Sequence, residues 1–191
     1  MSDKEYKFVP VKDCRLIGKG VHGSVYQLNE EQIIKVYHDG TSLDLINREY
    51  ELSKKAFVLG VPTAITFGTV KTEMGYGVIY ESAGIMPLGT YIENNPDKLE
   101  ECAGKFADAL IKLNSIEAPT EVFSSVHDWF LDRINLIPRK YLSQKDIESL
   151  TRIVNAIPRE TNLVHTDFHT QNVMTDKDQN LLIIDMTDAG Y

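Results

Sequence analysis

The chain has 191 residues, 42% of them apolar, which is enough to bury a sizeable core as one bilobal unit or two small subdomains. Its formal net charge is −8, from 20 basic and 28 acidic residues, and it contains no basic run of the kind that binds nucleic acid. The two cysteines give neither a metal-ligand spacing nor a disulfide framework. No apolar stretch reaches the roughly 20 residues of a membrane span, and the polar start is not a signal peptide. We therefore expect a cytoplasmic protein that binds neither nucleic acid nor a membrane.

Three glycines near the start of the chain, Gly18, Gly20 and Gly23, have the spacing G-x-G-x-x-G, and Val25 follows the third by two residues. The same spacing occurs in ordinary turns and in dinucleotide-binding folds, where a helix follows the third glycine. Here residues 24–28 favour a strand because Val and Tyr suit a pleated surface, and residues 32–37 favour a second strand after a polar turn. The pattern predicts a glycine-rich hairpin loop rather than a strand-to-helix turn.

A lysine, Lys35, lies inside the second predicted strand and shares a face with Ile33 and Tyr37. One interpretation is an ordinary exposed strand lysine. The other is a cation that binds nucleotide phosphates and is held in place by a glutamate on the next helix. The second interpretation requires a suitably placed glutamate.

The next predicted helix begins at a cap in residues 41–42, runs to about residue 58 and ends before Gly60 and Pro62. Its predicted inward stripe is Ile46, Tyr50, Ser53 and Phe57. Glu49 lies at the edge of this stripe, whereas Glu51 points roughly the opposite way. Glu49 is therefore the better partner for Lys35, and a solvated Glu49 remains the alternative.

Two more strands are predicted at residues 64–70 and 76–80, and a short polar connector follows at residues 81–84. Together with the glycine-rich hairpin, these strands would make a small antiparallel sheet that carries one helix. The connector is the best candidate for a hinge between two lobes.

The remainder of the chain is predicted to be mainly helical, with helices at residues 88–93, 97–115, 126–137 and 143–157. The helix at 97–115 has a continuous apolar stripe, so we expect it to be the buried central helix of the second lobe. Trp129 and Phe130 are expected in the core or between helices rather than in a ligand platform.

The loop at residues 165–172 and the carboxylate after the next apolar strand indicate the chemistry. Asp167 and Asn172 lie in the loop, and Asp185 follows an apolar run at residues 181–184. Phosphoryl transfer needs one carboxylate to orient the attacking hydroxyl, and an amide oxygen with a second carboxylate to hold magnesium against the nucleotide phosphates. The pattern therefore indicates a kinase-like phosphotransferase.

Two histidines, His165 and His169, flank Asp167 and allow a second interpretation, a metal site. An irregular loop does not fix their geometry as a helix would, and no third soft ligand is nearby in the sequence. We favour a structural role for His165, which would brace the loop through backbone hydrogen bonds. His169 would share that role or contact the phosphate.

Taken together, these residues resemble the protein-kinase-like superfamily, and more closely its small-molecule branch, the aminoglycoside phosphotransferase-like family. In that branch a second histidine commonly follows the catalytic aspartate by two residues, as His169 follows Asp167 here. The resemblance covers about residues 14–190. It implies a bilobal α+β fold, with a nucleotide-binding sheet lobe at residues 1–80, the hinge at 81–84, and a helical lobe at 85–191 that carries the catalytic loop and a short β-hairpin.

The resemblance also implies a role for each site residue. These are Asp167 as catalytic base; Asn172 and Asp185 as magnesium ligands; Lys35 and Glu49 as the phosphate clamp; Gly18, Gly20, Gly23 and Val25 in the loop over the phosphates; and Glu81 and Ala83 beside the adenine. The implied reaction transfers the γ-phosphate of ATP or GTP, with Mg²⁺, to a hydroxyl of a small molecule. An acidic surface would suit a cationic acceptor such as an aminoglycoside.

The sequence departs from related patterns at two places. Met186 and Thr187 follow Asp185, where a protein kinase has Phe-Gly, which argues against a phosphorylation-switched activation loop. Only residues 186–191 follow Asp185, so we expect the helices that build much of the acceptor pocket in the family to be absent.

Two alternatives to a small-molecule kinase remain. A protein kinase is disfavoured by His169 and by the missing downstream segment. A catalytically silent nucleotide-binding module is favoured by the short ending but disfavoured by the joint presence of Lys35, Asp167, Asn172 and Asp185.

Overall fold

The structure is a computed structural model, and it describes residues 5–82, 84 and 86–191. The strands of this described chain are β1 (Arg15–Lys19), β2 (Gly23–Gln27), β3 (Gln32–Tyr37), β4 (Thr66–Thr72), β5 (Gly75–Glu81), β6 (Met86–Pro87), β7 (Val173–Thr175) and β8 (Leu181–Ile183). Its helices are α1 (Leu43–Val58), α2 (Leu88–Asn94), α3 (Leu99–Asn114), α4 (Val126–Leu136) and α5 (Gln144–Ala156), with 3₁₀ turns at Pro96–Lys98 and Met186–Asp188. The predicted α+β class is confirmed. No helix within the described residues is both long enough and apolar enough to cross a membrane.

The chain divides into two compact units. The first comprises the residues up to Phe106 together with His169–Thr187, and the second comprises Ala107–Phe168 with Asp188–Tyr191. The division falls inside α3 and inside the loop at residues 165–172. The hinge at residues 81–84 stays a prediction, because compactness does not test where the chain pivots.

The first unit contains an antiparallel sheet with the strand order β1-β2-β3-β5-β4. Because side chains alternate along a strand, β3 contributes to a separate core on each side of the sheet. One core contains Val11, Ile34, Val36 and Val70. The other contains Tyr37, Ile46 and Val78, and it includes the buried side of α1. Lys35 lies on the same side as Tyr37, next to α1.

Helix α1 begins where Ser42 caps it, since the Ser42 side chain accepts a hydrogen bond from the Leu45 N–H at 3.3 Å. It ends before Gly60, whose φ of 87° continues the chain in a left-handed conformation. Its buried residues are Ile46, Glu49, Leu52, Ser53 and Ala56. The predicted stripe was wrong at Phe57, which is 44% exposed, because the buried line passes through Ala56 and turns Phe57 outward.

A second, three-stranded sheet with the order β6-β7-β8 also belongs to the first unit. The Ile183 N–H donates to the Pro62 carbonyl at 2.7 Å, which ties β8 to the segment before β4. In the β7–β8 turn, Asp176 accepts hydrogen bonds from the Asn180 side chain and from the N–H groups of Asp178 and Asn180. These bonds lower the pKa of Asp176, the Asn180 side chain contributing most. The turn thereby fixes the register of the β7–β8 pair, in which Thr175 lies opposite Leu181.

In the second unit, α4 and α5 pack through a small apolar cluster of Ile134, Ile147 and Val154. Serines cap both helices, Ser125 for α4 and Ser143 for α5. The end of the chain is held at the start of α4, because Tyr191 donates to the Ser124 carbonyl at 3.0 Å.

Two packing predictions for the helices were wrong. Helix α3 is not a buried central helix, since Leu99 is 55% exposed and Ile111 is 68% exposed, while Cys102 and Leu113 are buried. Its apolar residues spread around more of the helix than the narrow line that packs. Trp129 and Phe130 are about half exposed and contact each other edge to face, with ring centroids 5.0 Å apart. Adjacent helix positions point in different directions, so the two rings cannot share one packed face.

Candidate active site

A buried ion pair joins the sheet of the first unit to its helix α1. Lys35 Nζ lies 2.7 Å from Glu49 Oε1, and the two side chains are only 16% and 3% exposed. Lys35 comes from the centre of β3, and Glu49 from the buried face of α1. A buried carboxylate is costly unless it is paired and hydrogen-bonded, so each group requires the other. The structure therefore holds the Lys35 ammonium in a fixed position.

A second carboxylate, that of Asp185, lies close to the same lysine. Asp185 Oδ1 is 3.6 Å from Lys35 Nζ and accepts a hydrogen bond from Thr187 Oγ1 at 2.6 Å. The backbone of Asp185 has a φ of 62°, a left-handed conformation that is uncommon for residues other than glycine and is concentrated at functional sites. In the sequence, Thr187 stands out only as a departure from the kinase pattern. Its hydroxyl in fact contacts the predicted metal ligand.

Asn172 lies at the same end of the β7–β8 hairpin as Asp185. Its carbonyl accepts a hydrogen bond from the Ile184 N–H at 2.9 Å, and Asp185 is the next residue along the chain. An amide oxygen and a carboxylate are the hard oxygen ligands that Mg²⁺ prefers, and Mg²⁺ commonly completes its shell with substrate phosphates and waters. Among the described residues there is no group of three or more His, Cys, Asp or Glu side chains that could hold a metal. A magnesium ion bound by Asn172 and Asp185 would take its further ligands from phosphates and waters.

Two tyrosines surround the ion pair on the α1 side of the sheet. Tyr80 Oη donates a hydrogen bond to Glu49 Oε1 at 3.1 Å, so this oxygen accepts from both Tyr80 and Lys35. The ring of Tyr37 lies 5.2 Å from Lys35 Nζ. Burial raises the pKa of both tyrosines, and the neighbouring Glu49 charge adds to it, so both phenols stay neutral. Tyr80 was not predicted as a site residue from the sequence, although an expectation that β5 lies beside β3 would have placed it near Lys35.

The glycine-rich loop joins β1 to β2 and is followed by a strand rather than a helix, as predicted; β1 itself was not predicted. Val25 pairs with Gly18 on one side and with Lys35 on the other, so the loop and the lysine belong to one row across the sheet. The Gly20 N–H donates to the Gly23 carbonyl at 2.8 Å and closes the turn.

The three glycines differ in why the chain needs them. A Cβ on Gly23 would lie 2.3 Å from the Val36 carbonyl oxygen, which is a severe clash with backbone. A Cβ on Gly18 or Gly20 would meet ordinary contacts, 3.6 Å from Val25 Cβ and 3.7 Å from the Gly23 oxygen, respectively. Packing therefore requires glycine at position 23 but not at positions 18 and 20.

Glu81, which was predicted to contact the nucleotide, uses two of its polar groups for hydrogen bonds within the protein. The Glu81 N–H donates to the Ile65 carbonyl at 2.8 Å, and the Glu81 carboxylate accepts from the Ile65 N–H at 3.3 Å. Ala83, predicted to lie beside the adenine, is outside the described residues.

Asp167, the predicted catalytic base, belongs to the second unit. Its N–H donates to Nδ1 of His165 at 3.3 Å, and His165 is only 1% exposed. The preceding residue, Thr166, has a φ of 69° and donates through its hydroxyl to the Asp188 carbonyl at 3.1 Å. The structure thus shows the backbone contact expected of His165. The loop is thus held at Thr166 and at the backbone N–H of Asp167, the residue that carries the carboxylate.

A cavity of about 650 Å³ lies elsewhere in the second unit. It is lined by residues of α4 and α5, such as Phe130 and Val154, and by neighbouring residues such as Ile157 and Val164. None of the predicted site residues that the structure describes lines it, so it takes no part in the candidate chemistry.

Comparison with known proteins gives a family and a fold. The profile of the phosphotransferase enzyme family matches residues 13–191. No curated protein sequence matches the chain significantly. Among solved structures, the gentamicin complex of APH(2'')-IIa is similar over 94% of this chain and 66% of its own, with 21% identity and a TM-score of 0.63.

Two further structures give the same fold. The streptomycin–ATP ternary complex of APH(2'')-IIa matches 93% of this chain and 66% of its own, with 21% identity and a TM-score of 0.61. The aminoglycoside phosphotransferase APH(3'')-Id from Streptomyces rimosus, in complex with ADP and streptomycin, matches 87% and 69%, with 15% identity and a TM-score of 0.56. The chain thus spans about two thirds of the length of these structures, and the family profile covers nearly all of it. The chain belongs to the phosphotransferase enzyme family.

Proposed function

We propose that this protein binds ATP or GTP together with Mg²⁺ and transfers the terminal phosphoryl group to a hydroxyl of a small molecule. The observation that carries the proposal is the buried Lys35–Glu49 pair with Asp185 beside it. A fixed ammonium next to a carboxylate is the arrangement that phosphoryl transfer uses to bind phosphate oxygens and a metal ion side by side.

The nucleotide would be bound mainly through fixed positive charge and backbone N–H groups. Lys35 would contact phosphate oxygens, and the β1–β2 loop would cover the phosphates, where Gly18 and Gly20 leave room for close backbone approach. Asn172 and Asp185 would hold the magnesium ion. When bound, that ion would offset the negative charge on the phosphates.

In the chemical step, Asp167 would act as the base that accepts the proton of the acceptor hydroxyl. As the acceptor oxygen forms its bond to the γ-phosphorus, the bond from that phosphorus to the bridging oxygen of the nucleoside diphosphate breaks. The hydroxyl proton passes to the Asp167 carboxylate. Because the acceptor oxygen attacks the phosphorus directly, no covalent intermediate with the protein forms. The chain contributes position, with the Asp167 backbone held by His165, and charge stabilisation.

For the acceptor we propose a cationic molecule that carries several hydroxyl groups, of the aminoglycoside kind. The gentamicin and streptomycin complexes of the similar structures support this class. The formal net charge of −8 supports it as well, since an acidic protein attracts cations.

The proposal is tested by incubating the protein with ATP or GTP, Mg²⁺ and a panel of aminoglycosides and other hydroxyl metabolites. Mass spectrometry of the acceptors would detect the gain of one phosphoryl group. We expect a phosphorylated acceptor with the native chain and with an Asp178→Asn control in the exposed β7–β8 turn, but not with Asp167→Asn. Full turnover by Asp167→Asn would contradict the assigned base, and nucleotide binding without transfer to any acceptor would indicate a silent module.

A further inference from the structure

The Glu49 carboxylate accepts two hydrogen bonds through a single oxygen. Lys35 Nζ is 2.7 Å and Tyr80 Oη is 3.1 Å from Oε1. Glu49 and Lys35 come from α1 and β3, whereas Tyr80 is a residue of β5, the neighbouring strand, where it pairs with Ile33. Three elements of the first unit therefore meet at one atom.

We propose that Tyr80 is a positioning residue that orients the Glu49 carboxylate and so keeps the Lys35 ammonium with Glu49 and away from Asp185. This role rests on the proposed function, in which Lys35 binds phosphate and Asp185 holds magnesium. To that function it adds a residue that keeps the Lys35 ammonium apart from the Asp185 carboxylate.

The need for such a residue follows from the position of Lys35 between two carboxylates. Its Nζ is 2.7 Å from Glu49 Oε1 and 3.6 Å from Asp185 Oδ1, so a small movement of the side chain would exchange one partner for the other. If Lys35 paired closely with Asp185, it would neutralise the carboxylate that the magnesium ion requires. A firmly oriented Glu49 prevents this exchange.

Tyr80 is suited to this role because its ring cannot move easily and its hydroxyl keeps its proton. The ring packs against the buried cluster of Tyr37, Ile46 and Val78. Burial raises the pKa of Tyr80 well above its usual value, so the phenol remains a donor at physiological pH. Tyr37 does not duplicate this contact: its buried Oη lies near Glu49 and Tyr80, but among the described residues it makes no hydrogen bond of normal geometry.

The first test uses the ligand-free protein and compares Tyr80→Phe, which removes only the hydroxyl, with Tyr76→Phe as the matched control. Tyr76 is another tyrosine of β5 that packs against the same cluster. Limited acetylation of the lysines would be followed by mass spectrometry, with the exposed Lys71 as internal reference. We expect the rate at Lys35 to rise about three- to tenfold in Tyr80→Phe, as for the loss of one hydrogen bond, and to be unchanged in Tyr76→Phe.

The second test measures nucleotide affinity as a function of magnesium concentration. In Tyr80→Phe we expect the dissociation constant of the nucleotide to rise about three- to tenfold. The magnesium concentration for half-maximal binding should also rise, because Lys35 then competes with the ion for Asp185. A residue that only stabilised the fold would not shift the magnesium dependence, and neither should Tyr76→Phe.

An unchanged acetylation rate at Lys35 in Tyr80→Phe would overturn the proposal, as would an unchanged magnesium dependence. If the native chain bound no nucleotide at all, the proposed function would fail, while acetylation would still decide whether Tyr80 positions the pair. If Tyr80→Phe did not fold, Tyr80→Met would serve in the same measurements, since a flexible apolar side chain fills the site without a hydroxyl.

Discussion

The Lys35–Glu49 pair and the loop of Asp167 are held by different means. The pair is fixed by its own charged groups, which are buried, in contact at 2.7 Å and joined by the Tyr80 hydroxyl. Asp167 is fixed through its backbone, by the His165 ring and by the left-handed Thr166 before it. Substitutions in the pair should therefore change folding and nucleotide affinity together. A substitution of the Asp167 carboxylate should change the chemistry alone.

The largest effect is expected from Asp167→Asn. Loss of a general base should lower the transfer rate by about 10²–10⁴-fold, because the acceptor hydroxyl keeps its proton. The nucleotide dissociation constant, measured by calorimetry, should stay within about twofold of the native value, since the backbone contact with His165 needs no carboxylate. A large loss of nucleotide affinity would contradict the assignment of nucleotide binding to the Lys35–Glu49 pair and of the chemical step to Asp167.

Glu49→Gln should affect stability and binding together. It removes the closer of the two carboxylates beside Lys35 and leaves Asp185 at 3.6 Å. We expect a loss in the free energy of unfolding at the lower end of about 3–5 kcal/mol, since Asp185 remains as a partner and Lys35 retains some exposure. Nucleotide affinity should fall as well. Glu51→Gln, on the exposed side of the same helix, is the matched control and should be neutral in urea unfolding. Equal stability of the two variants would contradict the charge-based description of the pair.

The two glycines of the hairpin provide a sharper test. Gly23→Ala should lower the free energy of unfolding by about 1–3 kcal/mol, because its Cβ would press on the Val36 carbonyl oxygen. Gly20→Ala should change it by less than about 1 kcal/mol, since it has ordinary contacts there, and should weaken nucleotide binding instead. Urea unfolding and nucleotide titration of both variants would check this. Similar destabilisation by the two substitutions would contradict the conclusion that packing requires glycine at position 23 but not at position 20.

The smallest effect is expected from Tyr37→Phe. Its buried hydroxyl lies near Glu49 and Tyr80 but makes no hydrogen bond of normal geometry among the described residues, so its removal should change stability at pH 7 by no more than about 0.5 kcal/mol. The raised pKa of Tyr37 favours the neutral phenol in the folded state, so stability is fully present below the unfolded pKa of about 10 and is lost as the pH rises above it. Tyr37→Phe should therefore lose less stability than the native chain in urea unfolding at about pH 11. A loss above about 1 kcal/mol at pH 7 would show that the hydroxyl has a partner.

Local patterns in the sequence were sufficient for the fold class and for the meeting of Lys35 with Glu49. The strand alternation put Lys35 on the α1 side, and the helical period put Glu49 on the buried face of α1. Tyr80 and Thr187 were not found because their contacts depend on which strands are neighbours and on a left-handed Asp185. Neither is encoded in local spacing.

The errors in helix packing have a similar origin. The apolar period identified α3 and α4 as helices, but it did not show how wide a face of each would be covered. Ile111 and Trp129 are apolar residues left partly exposed for this reason. Coverage is decided by the elements packed against a helix, which a periodic pattern does not reveal.

Thermal unfolding with ATP or GTP, each with and without Mg²⁺, tests the central claim most directly when the native chain is compared with Asp185→Ala. A nucleotide at about 100 times its dissociation constant adds about 2.7 kcal/mol, which corresponds to a rise of roughly 5–11 °C for a chain of this size. We predict a magnesium-dependent rise with at least one nucleotide for the native chain, and a rise in Asp185→Ala that no longer depends on magnesium. No rise with any combination, or an unchanged magnesium dependence in Asp185→Ala, would contradict the assignment of this site.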